Sequence, residues 1–119
     1  MAQMREESMI KEEQVGPGSD NPFAALGLAD ADIRLAKAEI SRVIHRVIRE
    51  RQLTQAAAAR IMGLAQPDVS DLVRGRLARF SLERLERLLN TLDMDVTIRV
   101  TPRPASQTRT GIRVEFMPA

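Results

Sequence analysis

The side chains able to do chemistry in this 119-residue chain form a short repertoire. Cysteine is absent and His45 is the single histidine, which excludes disulfides, thiolate metal sites and paired-imidazole sites. No phosphate-binding glycine loop, metal-ligand spacing or Ser/His/Asp set occurs. No enzyme, cofactor or metal centre is therefore expected, and His45, between Ile44 and Arg46, reads as a partly exposed polar residue. What remains is hydrogen-bonding and ionic chemistry. Positive charge is almost wholly arginine, Lys11 and Lys37 being the only lysines, and the planar guanidinium fork grips phosphate and base edges where a lysine offers a point charge. Arg74, Arg76 and Arg79 follow closely on a segment that begins with Gln66, an amide able to bind adenine at N6 and N7 together. The arginines are placed to hold a sugar-phosphate backbone. This is the chemistry of nucleic-acid recognition.

Such residues need rigid elements to present them. Thr54 is a helix cap, and the helix it opens runs through Met62 to Gly63, which supplies the positive φ of a tight turn. A further helix runs from about Gln66 to Val73 and stops at Gly75. Ala58 lies where the two would cross, and Leu53, Ile61, Leu64, Val69 and Leu72 fill the wedge between them. Residues 54–76 thus read as a helix-turn-helix whose second helix stands proud of the domain, its N-terminal residues free to enter the major groove of DNA.

The flanking pattern is also helical. From a cap at Asp30, the residues Ile33, Ala36, Ile40, Val43, Ile44, Val47 and Ile48 form one stripe of a long helix ending near Gln52. Ser81 caps another helix with Leu82, Leu85, Leu88, Leu89 and Leu92 inward; Arg84 and Arg87 alternate with Glu83 and Glu86 as its solvated face. After Met94 the period becomes two: Val96, Ile98 and Val100 share one face of a half-buried strand. Residues 102–110 read as a loop, and Ile112, Val114 and Phe116 as a possible second strand. A lone strand with one apolar face is unstable, so Val96, Ile98 and Val100 are expected to pair with that second strand, with a partner subunit's copy, or with both, making a homodimer.

The expected architecture is mainly α, a four- to five-helix domain with a C-terminal β-strand or hairpin. It divides into an acidic, flexible arm over residues 1–20, a helix-turn-helix domain over 21–94 and a C-terminal β segment over 95–119. Asn21 and Pro22 open a short turn whose Phe23 and Leu26 clip the arm to the domain. Net charge is only +2, but Glu6, Glu7, Glu12, Glu13 and Asp20 make the arm negative and leave the rest clearly basic. The arm is either plain disorder or a partner-binding segment. The N-terminus does not look like a secretory signal and no apolar stretch is long enough for a bilayer, so a cytoplasmic location with no membrane partner is expected.

The stretch Leu53-Thr54-Gln55, Ala57-Ala58 ahead of Arg60-Ile61-Met62-Gly63, Ala65-Gln66-Pro67-Asp68-Val69-Ser70-Asp71-Leu72 and Arg74-Gly75-Arg76 resembles the Xre/Cro-type helix-turn-helix regulators, which have a lambda-repressor-like fold. The resemblance covers residues 30–101. Asn21-Pro22-Phe23 with Leu26-Gly27-Leu28, Phe80-Ser81-Leu82-Glu83-Arg84-Leu85, and Asp95-Val96-Thr97-Ile98-Arg99-Val100 resemble the HigA-like antitoxins within that family. The resemblance implies a homodimeric repressor bound to a palindromic operator in double-stranded DNA, autoregulation of its operon, and in many relatives a HigB- or RelE-type toxin partner. A free-standing regulator, or a module acting mainly through protein contacts, is the alternative. It also implies base contacts from Gln66, Ser70 and Asp71, and phosphate contacts from Thr54 and Gln55 at the start of the preceding helix. Asp68 either accepts from cytosine N4 or simply complements the dipole of its own helix. Three departures stand out: Ala65 replaces the usual cap of the recognition helix, Ala57 the usual capping-box Glu, and Asp93 the usual glycine after the last helix.

Overall fold

The computed structural model describes residues 30–108 and 110–118. The arm and the turn carrying Phe23 and Leu26 lie outside them. Among the described residues four helices follow in order: α1 (Ala31–Glu50), α2 (Gln55–Met62), α3 (Gln66–Val73) and α4 (Leu82–Thr91). Among the described residues no helix is long and apolar enough to cross a membrane. The chain divides into two units, residues 40–97 and, of the described remainder, 30–39 with 98–118.

In the first unit α2 packs on both α3 and α4. Ala58, fully buried, lets the backbones approach, as a small residue at a helix crossing should. Ile40, Ile44, Val47 and Ile48 of α1 are buried, as are Val69 and Leu72 of α3 and Leu85, Leu88 and Leu89 of α4, with Leu92 just beyond it. Leu53, Leu64 and Leu82 are half-buried. Two expectations need correcting. Ile61 does not fill the wedge: it is 44% exposed while its neighbour Met62 is buried, because the one-residue step of 100° puts Met62 on the inner face of α2. Ile33, at the start of the α1 stripe, is 39% exposed. Phe80 is an unanticipated anchor, 1% exposed between α3 and α4.

All four helices close in the same way. The N–H groups of Leu53, Leu64, Arg76 and Met94 reach back five residues to the carbonyls of Ile48, Ala59, Asp71 and Leu89, at 2.8–3.0 Å. This closure satisfies carbonyls that a helix end would otherwise leave bare, and it forces the residue before each donor into the left-handed region. Gly63 and Gly75 take that position at φ 68° and 76°, but Gln52 and Asp93 take it at 55° and 64°. At the other ends, the hydroxyls of Thr54 and Ser81 accept from the N–H groups of Ala57 and Arg84, each at 3.0 Å. Asp30 precedes α1 at φ 54°, and its carbonyl accepts from the Arg34 N–H at 2.9 Å.

The second unit departs from the sequence pattern. No strand forms among the described residues of 94–118. Arg99 and Glu115 bring the two alternating segments side by side at 3.5 Å, and a turn closed by Gln107 N–H on the Pro104 carbonyl lies between them. Yet Ile98 and Val100 are 70% and 74% exposed. Alternation marks a face in need of a partner but does not supply one, so the apolar row is left uncovered within the described residues of one chain.

Candidate nucleic-acid interface

The turn Gly63-Leu64-Ala65 carries the chain from α2 to α3 in three residues and directs the start of α3 outward. Ala65 occupies the cap position at φ −68°, ψ 147° without a side-chain hydrogen bond. The missing cap matters less than its type implies. Pro67 has no N–H to satisfy, and both Asp68 and Val69 donate to the Ala65 carbonyl, at 2.9 and 3.3 Å. With Val69 and Leu72 buried, the opposite face presents Gln66 and Pro67 exposed and Ser70 half-buried. Gln66 is thus where a groove-entering helix needs its first polar side chain.

Thr54 and Gln55 are exposed at the start of α2. The Thr54 oxygen is occupied by the Ala57 N–H, as a cap should be, but its own hydrogen can still donate to an anion. Ala57 offers no side chain to complete a capping box, in keeping with its type.

The three arginines beyond α3 separate into different environments. Arg74 closes α3, its N–H donating to the Ser70 carbonyl at 3.1 Å, and its side chain is exposed with no ion pair among the described residues. Arg76 comes within 3.9 Å of Asp71. Arg79 turns back onto α3, where a single nitrogen, Nη2, donates to Asp68 Oδ1 at 2.9 Å and to Asp71 Oδ2 at 3.1 Å. The two carboxylates lie three residues apart and so share a helix face. The hydrogen bond that Arg79 donates to Asp71, and after it the charges of Asp68 and Asp71, push the Arg79 guanidinium further above its ordinary value. Asp68 also falls in the first turn of α3, where the dipole favours it.

Arg84 was not legible as part of this arrangement. Instead of belonging to a solvated ladder, its guanidinium lies 4.6 Å over the Phe80 ring, a cation–π contact, and donates to the Arg79 carbonyl at 3.4 Å. Arg87 does pair along the helix surface, with Glu83 at 2.7 Å.

Two short helices joined by a three-residue turn, with an exposed polar start to the second and basic residues beside it, define the helix-turn-helix class of DNA-binding proteins. The family profile described as a helix-turn-helix domain matches residues 22–101. A solved structure described as an XRE family transcriptional regulator is similar at 40% identity and a TM-score of 0.65, covering 76% of this chain and 99% of its own. None of the curated proteins compared with the chain matches it. The chain belongs to the helix-turn-helix domain family, as a DNA-binding regulator of Xre type.

Proposed function

We propose that this regulator is a homodimeric repressor that reads a palindromic operator through α3, and that it is a binding protein with no catalytic activity. The observation that carries the reading is the exposed start of α3: Gln66 stands exposed there, suited to a base edge, while Arg74, exposed and without an ion pair among the described residues, caps the other end of the helix, suited to a phosphate. Dimerisation is supported by the uncovered row of Ile98 and Val100, which a second copy of the same segment would bury in an isologous contact. The resemblance of residues 21–28, 74–85 and 95–100 to HigA-like antitoxins adds autoregulation and a HigB- or RelE-type toxin as partner, with the acidic arm over 1–20 as a candidate covering segment. These belong to the same proposal.

The test is selection of duplexes from a random library by the full chain. The expected product is an inverted repeat whose half-sites are one helical turn apart, or a multiple of it. Enrichment of a single, non-repeated site would overturn the dimeric reading. Co-expression with the adjoining gene should yield a stable complex; a chain that purifies alone beside that product is a free-standing regulator.

A further inference from the structure

We propose that Arg79 is a positioning residue for DNA reading: it holds Asp68 and Asp71 in an internal ion cluster, so that neither carboxylate meets DNA and α3 reads bases through Gln66 and Ser70. This rests on the DNA-binding reading above and goes beyond it, since the resemblance makes Asp71 a base contact and the sequence alone makes Arg79 a phosphate contact.

The geometry is specific. One nitrogen of Arg79 bridges the two carboxylates at 2.9 and 3.1 Å, and Arg76 adds a second cation at 3.9 Å from Asp71. Two carboxylates therefore face two guanidiniums, and the cluster is neutral. Its base is fixed, because the Arg79 carbonyl accepts from Arg84, which stacks on the Phe80 ring buried in the core. Arg79 thus projects from an anchored point. The Asp68 and Asp71 side chains are only 22% and 25% exposed. Unclamped, they would put two negative charges on the surface that approaches phosphates, or would swing out to accept from cytosine N4.

A mutant cycle tests this on the full chain, with a duplex selected by the wild type and a second of mixed sequence. Arg79→Ala should weaken binding to the selected duplex by roughly tenfold or more, through like-charge repulsion. In a background of Asp68→Asn with Asp71→Asn, the same Arg79→Ala change should cost nothing. Reselection with Arg79→Ala should also move preference toward cytosine at the base pairs facing Asp68 and Asp71, a change that loosened packing would not produce. Arg79→Lys should keep most of the affinity. Equal losses from Arg79→Ala in both backgrounds, with the salt slope reduced by about one, would make Arg79 a phosphate contact and end the proposal while leaving DNA binding intact. A wild-type chain that binds no duplex would overturn both readings.

Discussion

On the reading proposed above, Gln66, Arg74 and Arg79 have three different relations to DNA despite lying within one short segment. Gln66→Ala should weaken binding to the selected duplex by about 1–3 kcal/mol and relax preference at one base pair, because it removes a bidentate base contact. Equal loss on mixed-sequence DNA in a fluorescence-anisotropy titration would show that it reads no base. Arg74→Ala should instead weaken binding to both duplexes alike and lower the salt slope by about one, since each phosphate contact releases about one counterion. An unchanged slope would place that guanidinium away from the backbone. The positions of Gln66 and Arg74 could be read from type and spacing alone, because both sit at the ends of an eight-residue helix bounded by a glycine at each side. The fate of Asp68 and Asp71 could not. Their partner lies 11 and 8 residues further on, and the connection depends on how the chain turns at Gly75 and how deeply Phe80 is buried.

The helices themselves follow from local chemistry. Caps at Thr54 and Ser81, apolar stripes at three- and four-residue spacing, and Gly63 and Gly75 at left-handed positions all appear in the sequence and recur in the structure. Gln52 and Asp93 are the exceptions, since an L-residue at positive φ is strained by roughly 1–2 kcal/mol. Asp93 also puts negative charge at the negative end of α4. Gln52→Gly and Asp93→Gly are each expected to raise stability by about 0.5–1 kcal/mol, seen as a higher urea midpoint with an unchanged m-value. Gly63→Ala should lose about 1–2 kcal/mol from backbone strain alone, because no atom lies within 4 Å of the added methyl. A neutral Gly63→Ala would mean that the turn relaxes to another conformation. Phe80 was missed at this scale because it stands between helices, outside any periodic stripe; Phe80→Ala should cost roughly 3–5 kcal/mol in the same experiment.

At the scale of the molecule, the alternating residues after Met94 carry the least settled information in the sequence. Alternation specifies which side chains share a face and says nothing of what covers them; that depends on a second chain or on segments far away. Ile98→Asp combined with Val100→Asp places charge on that face at two exposed positions, without removing a buried side chain. The expected result is a folded monomer by sedimentation, with operator affinity reduced by about 10²–10⁴-fold through loss of the linked second half-site. A double variant that stays dimeric at micromolar concentration would move the interface to the helices.

On the same proposal, the neutral cluster of Asp68, Asp71, Arg76 and Arg79 has a consequence for how long the protein lingers in the wrong place. A regulator searches among roughly 10⁶–10⁹ competing sites, and its grip on each is set chiefly by the cations it presents to phosphates. Cations already spent on internal carboxylates do not add to that grip. If the proposal holds, residence on irrelevant DNA is shortened while the contacts of Gln66 are untouched, and the same four side chains that settle which bases are read also quicken the search for them.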